Sequence, residues 1–389
     1  MPENLANEYK YVLLIVGLFF GAKYLQRFRL PGAVTCLGIG VAFGLGLGWF
    51  THDPVIEIFA VLGISVLFLF AGMELDVAEM RRDARLLGGH VLMQAAAVLT
   101  VAALAGRFLD LPLRPALIVA LALVTPSTGF ILDSLARLPI SERERGWVKS
   151  RAIGTEIVAL IILLFALQSE SASRLGVSLG AIVLMIAVLP LVFRIFVRLV
   201  LPHAPGTEFA FLVVMALVAA LATKKLGVYY LVGAFVVGVS EQRLRTKLPM
   251  LAGDGTMKAV HLFASFFIPF YFLKAGLGLQ AGHFSREAFL IGGIFVAVVV
   301  PLRLVLVAGY RAVTARQPLR DGLRLGTTLL PTLVFTIVLA GILEERFAAR
   351  PALVGGLVLY TLANTLMPSI LLGQRTGDLA PLDGRPEAA

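Results

Sequence analysis

One glutamate stands in an otherwise apolar run, Arg151-Ala-Ile-Gly-Thr155-Glu156-Ile-Val-Ala-Leu-Ile-Ile-Leu-Leu-Phe165. In hydrocarbon a carboxylate costs a few kcal/mol or more unless it lines a cavity or meets a cation, so an acid in this setting points to function. Two cations, Lys274 and Arg303, lie in comparably apolar surroundings. Together they read as parts of an ion or proton pathway. Two further clusters could take part. Thr125-Pro126-Ser127-Thr128-Gly129 and Thr327-Thr328-Leu329-Leu330-Pro331-Thr332 place proline and hydroxyl side chains in the middle of apolar segments. Proline removes a backbone donor and frees a carbonyl. In a bilayer such a freed group is tolerated only inside protein or beside a water-filled cavity. A simple kink, its hydroxyls bonded back to the helix, would explain either cluster alone. A matching pair favours two broken helices that cross.

The elements that must hold these residues are membrane spans. The chain has 389 residues, 59% of them hydrophobic and 15% charged, with a mean hydropathy of +0.91. This excludes an ordinary soluble domain and fits an all-α polytopic membrane protein. The formal charge of +10 is spread in short basic clusters between apolar stretches, so nucleic acid is not an expected partner. Cys36 is the single cysteine and the five histidines show no metal-ligand spacing. No nucleophile–base set or phosphate-cradling glycine loop is present, so neither an enzyme nor a cofactor is expected. The apolar run from Tyr11 leads directly into further spans, without the cleavage site of a secretory signal.

The pattern predicts thirteen helices, at about 9–27, 30–50, 55–74, 86–107, 113–136, 147–168, 174–199, 207–225, 227–241, 257–279, 286–310, 321–343 and 351–373. Loops after odd-numbered helices are rich in Lys and Arg, as at Arg81/Arg82/Arg85 and Arg143/Arg145/Lys149; loops after even-numbered ones are poor. The positive-inside rule then puts the N-terminus outside and the C-terminus in the cytoplasm of a multi-pass plasma-membrane protein. Residues 1–374 are expected to form the transmembrane domain, followed by a disordered cytoplasmic tail over 375–389 with no appended soluble domain. Glu57, Glu74 and Asp76 fall near helix ends and are expected at the interface.

An internal repeat accompanies the spans. Phe68-Leu-Phe-Ala-Gly72 matches Phe272-Leu-Lys-Ala-Gly276, Gly88-Gly89 matches Gly292-Gly293, Pro112-Leu-Arg114 resembles Pro318-Leu-Arg320, and the Pro126 cluster resembles the Pro331 cluster, at offsets near 204 (272 − 68 = 204). Seven helices separate the copies, so they face opposite ways. Inverted repeats with a midplane site at discontinuous helices characterise secondary transporters.

These motifs resemble the monovalent cation:proton antiporter-2 branch of the sodium/proton antiporter superfamily. The matching residues are Leu30-Pro31, the run Leu67-Phe-Leu-Phe-Ala-Gly72-Met-Glu74-Leu-Asp76, the pair Ser127-Thr128, Leu226-Gly227 with Gly233-Ala234-Phe235-Val-Val-Gly238, Pro269 to Gly276, and Leu323-Arg-Leu-Gly326. The resemblance implies a thirteen-helix antiporter fold with inverted repeats and two crossing broken helices, a homodimer, and a mobile core set against a dimerisation scaffold. The core is assigned to about 55–168 and 257–373. By position it implies that Thr155-Glu156 is the ion-binding pair with Glu156 as carrier, and that Arg303 faces that carboxylate. The chain departs from the pattern in having Glu as carrier, Thr as its neighbour and Lys274 where a small residue is common.

The leading expectation is electroneutral exchange of a monovalent cation, Na+ or K+, for a proton through one carboxylate. Thr125, Ser127, Thr128 and Thr155 would supply neutral oxygen ligands, and Lys274 and Arg303 would compensate charge; no metal is expected beyond the transported cation. Three alternatives stay open. Glu156 could form a fixed structural ion pair. The two cations could serve an anion carried on the same fold. The chain could also be a membrane sensor that transports nothing. Lys274 could either face the site or snorkel outward.

Overall fold

The computed structural model describes residues 3–75, 80, 84–135, 138–169, 171–228, 231–245 and 254–373. The tail expected to be disordered over 375–389, Asp76 and the basic positions Arg81 and Arg82 lie outside the described residues. Among the described residues every regular element is helical. In chain order they are α1 (Glu3–Val16), α2 (Ala22–Gln26), α3 (Gly32–Val41), α4 (Pro54–Met73), α5 (Ala84–Leu109), α6 (Leu113–Val124), α7 (Thr128–Leu135) and α8 (Glu142–Gln168). Then follow α9 (Ala172–Ile195), α10 (Glu208–Lys225), α11 (Leu231–Arg245), α12 (Asp254–Leu277), α13 (Arg286–Ala315), α14 (Leu319–Thr328), α15 (Leu333–Phe347) and α16 (Pro351–Leu371).

Local chemistry sets the boundaries. Asp53 caps α4, its carboxylate accepting from the amides of Val55 at 2.9 Å and Ile56 at 3.1 Å, with Pro54 in the first turn. Ser141 and Glu144 form a capping box at the start of α8, the helix that carries Glu156. Where thirteen spans are expected, eight described helices are long and apolar enough to cross a membrane, or nine with the bent pair α14–α15 taken as one span. The remaining expected positions are helical but compromised. Residues 3–26 are split by a π turn at Gly17–Gly21, 32–46 is a shorter apolar helix, α10 carries Glu208, Lys224 and Lys225, and α11 has 15 residues.

The helices pack in two groups. In one, α4 lies against α11 and α12, and α12 also packs on α3. In the other, α13 packs on α14 and α16, and α6 on α5, α8 and α15. The packing joins α4 and α12 to α3 and α11. The reason is visible at two glycine crossings. A Cβ on Gly72 would stand 2.4 Å from the Phe235 carbonyl, and one on Gly238 2.2 Å from that of Leu69. A Cβ on Gly276 would stand 2.1 Å from the Leu37 carbonyl, and one on Gly40 2.2 Å from that of Leu273. Backbones this close admit only glycine, the small-residue mode of helix packing in membranes.

Candidate functional site

Both proline clusters interrupt their helices. α6 ends at Val124 and α7 begins at Thr128; α14 ends at Thr328 and α15 begins at Leu333, with a bend of 57° between those two halves. The breaks touch directly, because the Ser127 amide donates to the Pro331 carbonyl at 2.8 Å. Thr125, Pro126, Ser127, Thr128, Pro331 and Thr332 are all buried.

Arg303 sits at the ends of the two first halves. Its Nη2 donates to the Leu329 carbonyl at 2.6 Å, and its Nη1 lies 2.8 Å from the Leu330 carbonyl and 3.4 Å from that of Leu123. Tyr360 reinforces it, donating to the Leu123 carbonyl at 2.5 Å and lying 3.3 Å from Arg303 Nη1. The guanidinium thus serves carbonyls released where α6 and α14 stop. Those helix ends carry negative dipole charge, which a cation offsets. Among the described contacts the partners of Arg303 are these carbonyls and the Tyr360 hydroxyl, with no ion pair to Glu156.

The second break is held by side chains. The Thr332 hydroxyl lies 2.9 Å from that of Thr361 and accepts from Asn364 Nδ2 at 3.0 Å, while the Thr332 amide donates to Asn364 Oδ1 at 3.3 Å. Thr336 donates across the crossing to the Ala122 carbonyl at 2.7 Å. Tyr360, Thr361, Asn364 and Thr336 were not among the residues singled out from the sequence. The signal was there: positions 360, 361 and 364 fall on one face of an otherwise apolar helix.

Glu156 is 2% exposed, in the middle of α8. Its carboxylate lies beside the amide and hydroxyl of Thr128, at the first turn of α7. Oε2 has no hydrogen-bond partner, and neither do the hydroxyls of Thr125, Thr128 and Thr155. Buried polar atoms are nearly always paired, with protein, water or an ion, so this group of oxygens is a candidate place for a bound species. A carboxylate, hydroxyl oxygens and the freed ends of a broken helix are hard oxygen ligands of the kind small cations take. Lys274 is elsewhere. Its Nζ lies 3.0 Å from Glu57 Oε1, and both side chains are about half exposed. Glu74 likewise pairs with Lys149. Among the described residues no three His, Cys, Asp or Glu side chains converge to hold a metal.

A cavity of about 340 Å³ opens between the two helix groups, bordered by Lys23, Gln26, His261, Ser134 and Ser369 toward one end of the bundle. Its lining extends to Leu67 of α4 and to Gly129 and Val334, in the first turns of α7 and α15. Gly129 follows Thr128, so the cavity reaches the break that carries the neighbour of Glu156.

Residues 12–373 match the family described as sodium/hydrogen exchanger, transmembrane. The chain belongs to this family. It is 26% identical over 401 residues to the Na(+)/H(+) antiporter NhaS5 of Synechocystis, covering 97% of this chain and 54% of that protein. The chain thus spans about half the length of that curated relative. It is 22% identical to a Na(+)/H(+) antiporter of Enterococcus hirae, over 77% of this chain and 79% of the other. The fold is similar to that of the sodium proton antiporter MjNhaP1 from Methanocaldococcus jannaschii, with a TM-score of 0.69 at 16% identity, covering 96% of each chain.

Proposed function

We propose that this exchanger-family chain moves a monovalent cation across the membrane in return for a proton, both carried in turn by Glu156. The observation that carries the reading is the buried carboxylate whose Oε2 has no partner, next to Thr128 and Thr155 hydroxyls that also lack one. One acid that holds either a proton or a monovalent cation gives one-for-one, electroneutral exchange of Na+ or K+. The relatives named as antiporters support this, and so do the two cations. Arg303 is committed to backbone carbonyls and Lys274 to Glu57, so neither neutralises Glu156 in a fixed pair and neither is offered to an anion. The antiporter-2 branch remains the assignment its motifs suggest.

The architecture we infer with this function has thirteen crossings in two inverted repeats. In support, the repeat-related Gly72 and Gly276 occupy equivalent crossings, α4 on α11 and α12 on α3. The second helix group would form the moving core and the first a scaffold. The plasma membrane, an outside N-terminus and a homodimer complete the proposal. That orientation opens the cavity beside Lys23 toward the cytoplasm. The test is a proteoliposome assay with a pH-sensitive dye, scanned over Na+, Li+, K+ and several anions. Cation-dependent proton flux that disappears in Glu156→Gln is expected. Undiminished flux in that variant, or flux that follows the anion, would overturn the reading.

A further inference from the structure

Asn364 is fully buried on α16 and spends both ends of its side-chain amide on one residue. Its Oδ1 accepts from the Thr332 amide at 3.3 Å, and its Nδ2 donates to the Thr332 hydroxyl at 3.0 Å. In a continuous helix the Thr332 amide would bond the carbonyl four residues back, that of Thr328. α14 ends at Thr328, and Asn364 supplies an acceptor instead. The Thr365 hydroxyl donates to the same Oδ1 at 3.3 Å, and Thr365 lines the cavity that reaches Gly129.

Two lines of contact run from Thr332 to the first break. One follows the main chain. Thr332 succeeds Pro331, whose carbonyl takes the Ser127 amide at 2.8 Å, and Ser127 precedes Thr128, the neighbour of Glu156. The other passes through Thr336, whose hydroxyl lies 2.7 Å from that of Thr332 and donates to the Ala122 carbonyl at 2.7 Å. That carbonyl is the one Pro126 leaves open, because proline has no amide to offer it from four residues on. The two lines therefore reach the first break on either side of Pro126.

Holding α15 against α16 does not require an amide, since the two helices pack on each other with buried apolar side chains such as Leu353 and Leu357. A buried amide is costly unless its groups are bonded, and once bonded it fixes one arrangement. Discrimination between cations of different size depends on the size of the site and the rigidity of its ligands.

We propose that Asn364 is a positioning residue for the cation site: by holding Thr332 it sets, through the Pro331–Ser127 and Thr336–Ala122 bonds, the place of Thr128 beside Glu156, and with it the selection among alkali cations. The inference rests on the reading of Glu156 as carrier.

The test measures proteoliposome flux for wild type, Glu156→Gln, Asn364→Ala and Thr332→Val, with KM for Li+, Na+ and K+, maximal rate and unfolding midpoint taken for each. Asn364→Ala should raise KM for the preferred cation several-fold and draw the KM values for Na+ and K+ together, with a smaller change in maximal rate. Thr332→Val, which removes the hydroxyl that Asn364 holds, should move the ratio the same way, and the double variant should add little to either. Asp53→Ala loses the cap of α4, outside this network, and should lower stability while leaving the KM ratio at its wild-type value. If Asn364→Ala does not fold, Thr332→Val alone decides. Glu156-dependent flux with wild-type KM ratios in these variants would overturn the inference and leave the antiport reading standing. Flux that survives Glu156→Gln would overturn both.

Discussion

The amide of Ser127 donates to the carbonyl of Pro331, so the two helix breaks are joined backbone to backbone at 2.8 Å. This single bond links the N-terminal edge of α7 to the edge of α15. Ser127→Pro removes the donor and leaves a buried carbonyl unpaired, which should destabilise the protein by about 1–3 kcal/mol. Ser127→Ala keeps the amide and should unfold close to wild type. Thermal unfolding of both variants in the same detergent checks the difference; equal midpoints would mean that the bond contributes nothing.

Arg303 predicts a stability effect larger than any direct effect on the carboxylate. Arg303→Ala strips the Leu329 and Leu330 carbonyls of a charged donor, and hydrogen bonds to charged groups contribute about 1.5–3 kcal/mol each. A large drop in midpoint is expected, with partial recovery in Arg303→Lys, whose ammonium lacks the planar fork. Tyr360→Phe, which removes one donor to Leu123, should lower stability by about 1 kcal/mol.

Competition at one carboxylate has a definite pH signature. The proton excludes the cation, so in the range where the acid is protonated the apparent KM for cation should rise about tenfold for each unit of falling pH. Where the acid is ionised, KM should be flat. Flux measurements at fixed pH on both sides of the vesicle would show it. A KM independent of pH across the whole active range would exclude shared occupancy of Glu156.

Thr128→Val separates binding from folding. The Thr128 hydroxyl is tied to no group that holds the helices together, so its loss should leave the unfolding midpoint nearly unchanged. It stands beside the carboxylate, so KM for cation should increase several-fold with little change in maximal rate. A stability loss without a KM change would place the hydroxyl outside the site.

Lys274→Ala should leave both the pH profile and the stability almost untouched. Its pair with Glu57 is half exposed, and such surface pairs are worth about 0–1 kcal/mol. A shifted pH profile in this variant would show that the lysine reaches the ion path in another conformation.

The helix breaks were legible because proline and hydroxyls in mid-span have few other uses, and the burial of Glu156 because no other charge falls within four residues of it in sequence. What Arg303 touches was not legible. Its acceptors are main-chain carbonyls, which every residue carries, and only the folded crossing shows which of them lack a partner. Lys274 was ambiguous for a related reason: a long flexible side chain is placed by whatever acid lies within reach, and Glu57 is 217 residues away. Asn364 and Tyr360 carried a signal in their one-sided spacing, but their partners belong to the second break, which sequence alone does not bring near them.

The paired glycines Gly72–Gly238 and Gly40–Gly276 hold their helices by shape alone. At those contacts nothing titrates and nothing is screened by salt. Acidification or a change in ionic strength leaves these joints as they are. If Glu156 carries the proton as proposed, the displacement it drives would be made against a frame that pH does not touch.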